Sequence, residues 1–208
     1  MRAPVHPSDA PQPRPAATLN WLWSGTLASV LSALALAWHG RRRHGSSVSL
    51  LNAPSHWLHG ERALRANMPS WRFTFWGLLI HQLSSLWWAA LYEGLIRWAR
   101  PGAGPDRPVP TEPPSPVAAT PVDAARPVAL AAAVTLLAWF VDTRAVPPKL
   151  RPGFERRASR AGIACVYGAF GAGLLIAGLN RRHRQIPASA GKTCGRADVA
   201  PSPGAPSN

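Results

Sequence analysis

The sequence predicts an all-α integral membrane protein, a bundle of four transmembrane helices, from three observations. Four apolar runs are each about twenty residues long or longer, and twenty helical residues rise about 30 Å, the thickness of a bilayer core. Tryptophans and arginines stand at the ends of these runs, where interfacial side chains are preferred. The runs also lack the period-two alternation that a membrane β-barrel needs.

The chain mixes two compositions, which explains a mean hydropathy near zero despite the long apolar runs. Its 23 prolines concentrate in polar stretches outside those runs. Such stretches lack the apolar surface that offsets ordering entropy, so we expect them to be disordered. The predicted organisation is an N-terminal tail (1–18), a transmembrane domain (19–180) that contains a proline-rich linker (101–126), and a C-terminal tail (181–208).

The first predicted span covers residues 19–38, with Trp21, Trp23 and Trp38 at its two ends. A cleaved signal peptide is the alternative, because small residues near the end of the run resemble a cleavage site. The run is longer than the usual signal core of about 7–15 residues. Three consecutive arginines follow it, and they favour a stop in the membrane over translocation.

The other predicted spans cover residues 73–98, 127–146 and 161–179. The second is long enough to cross a bilayer with some tilt. Pro127 opens the third at a position that favours a helix start, and two consecutive prolines after residue 146 cannot continue the helix. In lipid every backbone polar group must be satisfied within the segment, so helices are the form that these runs can take.

The formal net charge is +14, and a strongly basic chain first suggests nucleic acid as a partner. The cations cluster just outside the apolar runs, so we predict anionic lipid head groups as the partner and no nucleic acid. The loops 40–72 and 147–160 share one side of a four-span protein and hold eleven cations near the membrane, against nine on the other side. The positive-inside rule predicts that these loops are cytoplasmic and both termini outside.

Rows of small residues in the first and fourth spans predict close helix packing. The predicted packing residues are Gly25, Ser29 and Ala33 in the first span and Cys165, Gly168, Ala169, Gly173 and Ala177 in the fourth. Small side chains let helix backbones approach when lipid removes the hydrophobic driving force. We expect these faces to pack against each other or across a homodimer, unless the rows are a chance product of an alanine-rich chain.

Four polar side chains fall at lipid depth. They are His81, Gln82, Glu93 and Asp142. Such groups are costly in a bilayer and usually face the protein interior. Glu93 precedes Arg97 by four residues, and the simplest interpretation is a helix pair near the membrane boundary. Antiparallel neighbours bring the start of the second span beside the end of the third, so His81 and Asp142 lie toward the same membrane face; Arg144 is the alternative partner of Asp142.

The first loop adds a candidate metal site on that face. His56 and His59 are three residues apart, with Glu61 close by, and neutral imidazoles with a carboxylate suit zinc or another divalent metal. The predicted ligands are His56, His59 and His81. The spacing alone is weak, and the alternative is a short amphipathic helix whose histidines and tryptophan anchor it at the interface. The sequence identifies no cofactor.

The chain contains, in this order, the segments SLLNAPSHWLHGE, HQLSSLWWAALYE and VDTRAVPPKLRPGFE. They resemble a family of uncharacterised small bacterial multi-helix inner-membrane proteins. A recurring Asn-Ala-x-Ser-His-Trp element of that family is met by Asn52, Ala53, Ser55, His56 and Trp57. The resemblance implies a multi-pass protein of the bacterial inner membrane and implies no chemical activity.

The sequence contains no phosphate loop, dinucleotide fingerprint, Cys-x-x-Cys pair or Gly-x-Ser-x-Gly elbow. The sequence therefore predicts no catalytic residues, and we do not expect this protein to be an enzyme. The leading hypothesis is a structural, stress-related or partner-binding membrane protein. The alternative is a protein that handles small solutes, protons or metal ions with the histidine and aspartate cluster on the side of the loop 40–72.

Overall fold

The regular secondary structure of residues 19–99 and 121–185, which the computed structural model describes, is entirely helical. The helices are α1 (Asn20–His44), α2 (His56–His59), α3 (Glu61–Arg65), α4 (Trp76–Trp98), α5 (Pro121–Phe140) and α6 (Arg160–Gln185). Short 3₁₀ turns cover Ala53–Ser55 and Phe154–Arg156, and π-helical turns cover Trp71–Phe75 and Val141–Ala145. The predicted all-α class is confirmed for these residues.

Three helical segments among the described residues are long and apolar enough to cross a membrane. They are Asn20–His44, Ala125–Ala145 and Arg160–Asn180. These segments correspond to the first, third and fourth predicted spans. Residues 76–98 of the second predicted span form α4, which is 23 residues long but carries His81, Gln82 and Glu93 among its apolar residues. Its crossing of a membrane is not established by length and hydropathy.

The observed helices are longer than several of the predicted spans. α1 continues through the three arginines to His44 and ends at Gly45, whose φ of 69° is the left-handed conformation typical of a glycine helix end. α5 begins at Pro121, inside the predicted linker, so Pro127 lies within the helix rather than at its start. α6 continues to Gln185, inside the predicted C-terminal tail. The remaining predicted tail and linker residues, 1–18, 100–120 and 186–208, lie outside the described residues.

The four long helices pack in a ring in which α1 and α5 each contact both α4 and α6. The buried face of α1 consists mainly of small side chains. They are Ser24, Gly25, Ala28, Ser29, Ser32, Leu36 and Gly40. Small residues allow the neighbouring backbones to come close, as membrane helices require. A Cβ on Gly25 would lie 2.8 Å from the Leu86 side chain of α4, so this residue packs against α4 rather than α6.

The backbones of α1 and α6 come close together at Gly173, where an added Cβ would collide with the backbone of Ala28. Of the other predicted packing residues in α6, Ala177 is buried, Ala169 is half-buried and Cys165 is exposed. Gly168 is exposed, and a Cβ there would meet nothing within 4 Å. Only the C-terminal half of the predicted row is therefore a packing face within one chain. Packing across a homodimer stays a prediction.

The two loops on one side of the ring fold together into a cap over the end of the bundle. Leu50, Ala53 and Leu64 of the first loop and Phe154 of the second form one hydrophobic cluster with Leu36, Ala138, Val166 and Tyr167 of the helices. Gly77 is the point of closest approach, because an added Cβ would collide with the Leu51 carbonyl. The cap is therefore packed onto the helices and forms a wall of the site described next.

Candidate functional site

The cap and the ring of helices enclose a cavity of about 150 Å³. Its polar lining comes from Ser32, His81, Ser84, Ser85, Asp142 and Tyr167. Its apolar lining includes Trp57, Trp88, Phe154 and Phe170. A mostly apolar cavity with a few convergent polar groups is the usual form of a small-molecule site. We call it the cap cavity.

His81 enters the cap cavity from α4, five residues into the helix. Its Nε2 lies 3.0 Å from the Ser32 hydroxyl of α1, and Ser32 also donates to the Ala28 carbonyl. The serine therefore holds the imidazole at the wall of the cavity.

Asp142 reaches the cap cavity from the π-helical turn that follows α5. Its Oδ2 accepts a hydrogen bond of 2.9 Å from the Tyr167 hydroxyl of α6. Glu155, in the second loop, interacts electrostatically with both residues. His81 and Asp142 both line this cavity, and the observed hydrogen-bond partner of Asp142 is Tyr167 rather than Arg144.

Asn52 holds the cap in position over the cavity. Its fully buried amide donates to the Ala66 and Met68 carbonyls at 3.0 and 3.2 Å, and its Oδ1 accepts from Thr74 at 2.8 Å. These bonds fasten the start of the first loop to its own end and to the turn before α4. A buried amide that satisfies three partners specifies one loop conformation.

The remaining residues of the Asn-Ala-x-Ser-His-Trp element complete the cap. The Ser55 hydroxyl donates to the Asn52 carbonyl, and His56 Nδ1 lies 2.8 Å from the Ala53 carbonyl. The Trp57 indole donates to the Arg151 carbonyl at 3.0 Å and so joins the first loop to the second. In this structure the element forms part of the cavity wall.

Arg157 joins the two loops from the other side. Its guanidinium donates to the Ser49 carbonyl at 3.0 Å and to Asn67 Oδ1 at 2.7 Å. Partial burial lowers the pKa of this guanidinium from its usual value, but an arginine remains protonated in proteins. The charged side chain of Arg157 thus holds the two loops together at the edge of the cap.

The histidines of the predicted metal site have separate surroundings. His56 Nδ1 is occupied by the Ala53 carbonyl, and His59 Nδ1 lies 3.4 Å from Arg72 Nε. His81 pairs with Ser32. Within residues 19–99 and 121–185, no group of three or more His, Cys, Asp or Glu side chains is arranged to hold a metal ion. The structure therefore does not bring the predicted ligands His56, His59 and His81 together as one group.

Glu93 and Gln82 face α1 from α4. Glu93 is 2% exposed and accepts a hydrogen bond of 2.5 Å from the Ser24 hydroxyl. Arg97 is exposed, so Glu93 is turned into the bundle rather than toward the boundary position expected beside Arg97. Gln82 Nε2 donates to Thr26 Oγ1 at 3.1 Å. Both residues have structural partners outside the lining of the cap cavity.

Sequence reasoning missed Tyr167, the residue that holds Asp142. A signal was present, because the chain has two tyrosines and this one lies inside an apolar run. A buried tyrosine hydroxyl usually has a hydrogen-bond partner, so it points to an acceptor on a neighbouring helix. Its pairing with Asp142 depends on how α5 and α6 pack against each other. A sequence pattern within one helix does not show that packing.

Comparisons of this chain with protein-family models, with curated proteins and with solved structures find no match.

Proposed function

We propose that this chain is a four-span protein of the bacterial inner membrane whose cap cavity binds a small amphipathic molecule. The observation that supports binding is the convergence of His81 and Asp142 on one cavity whose walls are otherwise largely apolar and aromatic. Membrane insertion draws support from the three long apolar helices and from large apolar side chains on their outer faces, including Leu34, Leu136 and Ile176.

A fourth crossing by α4 is the simplest arrangement for its polar and apolar faces. Leu83 and Trp87 are 57% and 71% exposed on its outside, whereas Ser85 and Glu93 are buried against the bundle. The polar residues that lower the hydropathy of α4 thus need not meet lipid. A helix with this division suits a membrane when its neighbours cover the polar face.

The orientation follows from charge. With four crossings, both loops of the cap lie in the cytoplasm and both termini lie outside. Reporter fusions at the two termini test this arrangement. We expect activity from a reporter that works only outside the cytoplasm and none from a reporter that works only inside. Cytoplasmic signal at both ends would reverse the orientation, and signals of opposite kind at the two ends would contradict four crossings.

The ligand class follows from the lining. A cavity of this volume accommodates a molecule of about benzene's size. Asp142 is an acceptor that already receives one hydrogen bond from Tyr167, and a carboxylate has capacity for more. Aromatic side chains such as Trp57 and Trp88 favour an apolar body and attract a cation through their ring faces. We therefore favour a small aromatic or aliphatic amine.

Thermal unfolding of the purified protein in detergent tests this site with benzylamine, benzyl alcohol and toluene. A ligand at about one hundred times its Kd stabilises the folded state by about 2.7 kcal/mol, which raises the Tm of a chain of this size by about 5–10 °C. We expect the largest rise with benzylamine. Asp142→Asn should remove its advantage over toluene.

Glu61→Gln is the matched control, because it also neutralises one carboxylate on the cap side. Glu61 is exposed, pairs with Arg156 and does not line the cavity. It should leave the response to benzylamine unchanged. If none of the three compounds raises the Tm of the unmodified protein, the cavity is a packing feature and the structural or partner-binding hypothesis becomes the better one.

A further inference from the structure

A second concave surface lies on the outside of the bundle, between the end of α5 and the start of α6. This open groove has a volume of about 690 Å³. Arg144 and Arg160 line one part of it, and Trp139, Ile163 and Ala164 supply an apolar part. It shares no lining residue with the cap cavity. We call it the α5–α6 groove.

The two arginines of the groove differ from the other arginines between residues 144 and 160. Arg151, Arg156 and Arg157 all donate hydrogen bonds to protein acceptors. Arg144 and Arg160 are exposed and make no hydrogen bond or ion pair with another described residue. Their guanidinium donors are thus available to an anion in the groove, and planar guanidinium groups bind phosphate oxygens well.

The position of the arginines matches the depth of a lipid phosphate. Arg144 lies one residue before the end of the apolar segment Ala125–Ala145, and Arg160 is the first residue of the segment Arg160–Asn180. Both therefore lie at the same end of adjacent candidate membrane helices. Basic pockets between membrane helices at this depth bind phospholipid head groups.

The groove also has a surface for an acyl chain. Below Ala164, the outer face of α6 continues with the small exposed residues Gly168 and Ala172. On α5 the side chains of Leu136 and Phe140 are 64% and 52% exposed. In a membrane, these exposed residues of the two helices would face the acyl chains of the lipid. An inorganic anion would use only the arginines, whereas a lipid would use both parts.

Glu155 also lines the groove, and both of its carboxylate oxygens are buried without a hydrogen-bond partner among the described residues. Two arginines against this one carboxylate give the lining a net positive charge. The geometry points to a bound anionic phospholipid, with its phosphate between Arg144 and Arg160 and an acyl chain along the outer face of α6. This inference uses a surface separate from the cap cavity and holds whether or not that cavity binds a ligand.

Native mass spectrometry of the detergent-purified protein with phosphatidylglycerol and phosphatidylcholine tests the proposal. We expect one tightly held phosphatidylglycerol per chain and weaker binding of phosphatidylcholine. The double variant Arg144→Ala and Arg160→Ala should weaken phosphatidylglycerol binding by about a hundred-fold, about ten-fold for each charge-assisted contact. Both side chains are exposed, so the variant should unfold at the same temperature as the unmodified protein.

Two further variants separate a specific site from general charge attraction. Lys149→Ala removes an exposed cation from the same loop outside the groove and should leave binding unchanged. Ala164→Leu keeps both arginines and fills the exposed floor of the groove, so it should weaken lipid binding without changing the charge. Equal losses in Lys149→Ala and the double variant would overturn the proposal. Unchanged binding in the double variant would overturn it as well.

Discussion

Two glycines of α6 provide a matched test of the bundle, because they differ in what an added methyl group would meet. A Cβ at Gly173 would collide with the Ala28 backbone of α1, and backbone cannot move aside as a side chain can. A Cβ at Gly168 would meet nothing within 4 Å. Gly173→Ala should therefore force α1 and α6 apart, whereas Gly168→Ala should be accommodated without movement.

The magnitude follows from two opposing effects. Alanine is favoured over glycine in a helix by about 1 kcal/mol, and this gain applies to both variants. Overpacking a tight contact costs about 1–3 kcal/mol and applies only to Gly173→Ala. The gain cancels in the difference, so Gly173→Ala should be less stable than Gly168→Ala by about 1–3 kcal/mol. For a chain of this size the two Tm values should differ by about 2–12 °C.

Thermal unfolding in one detergent, followed by size-exclusion chromatography of heated samples, measures this difference. Gly173→Leu should give a larger loss of folded protein than Gly173→Ala, and Leu175→Ala should matter less than Gly173→Leu. If neither Gly173→Ala nor Gly168→Ala lowers the Tm, the close approach of α1 and α6 at Ala28 is wrong. Equal destabilisation by both variants would instead indicate that Gly168 is covered, as in a homodimer.

Two other substitutions test hydrogen bonds on which the arrangement of helices and cap depends. Asn52→Ala removes three side-chain hydrogen bonds, and each buried group left unpaired lowers the stability by about 1–3 kcal/mol. We therefore expect a large fall in Tm and faster proteolysis of the loop 45–72. Ser47→Ala, at an exposed position of the same loop, should change neither. Ser24→Ala removes a hydrogen bond to a buried carboxylate, and bonds of this kind contribute about 1.5–3 kcal/mol; we expect a lower Tm, and an unchanged Tm would show that Glu93 does not depend on α1.

The helices themselves were predictable, because run length and flanking residues are local properties. The predicted span 161–179 lies within α6, and the predicted span 19–38 lies within α1 except for its first residue. The ends were less predictable. A helix continues through charged residues when no proline or glycine stops it, as α1 does through its arginines to Gly45.

The site was predictable only in part, for the same reason. The start of the second predicted span and the end of the third lie at the same end of a four-helix bundle, so His81 and Asp142 are expected there, and both line the cap cavity. The order of the helices does not show which side chains face each other, so the pairing of Asp142 with Tyr167 was missed. The small-residue row of α6 shows a similar limit. Its spacing correctly marks one helical face, but the crossing of α1 and α6 decides that Gly173 is covered while Cys165 is exposed.

The polar side chains of α4 explain both its low hydropathy and its place in the ring. Three of them meet hydroxyl groups of the same neighbour, because Glu93, Gln82 and His81 contact Ser24, Thr26 and Ser32 of α1 respectively. The pairing runs in antiparallel order from Glu93 to His81.

A polar group in lipid needs such a partner, so α4 is suited to a membrane only when it is packed against α1. The mean hydropathy of a helix describes that helix alone, so it does not account for polar side chains of α4 that are paired with α1. It follows that α4 should be the helix most dependent on its neighbour. When the α1 hydroxyls are removed, α4 should be the first helix to lose protection from hydrogen exchange, ahead of α6, which also packs closely against α1 at Gly173.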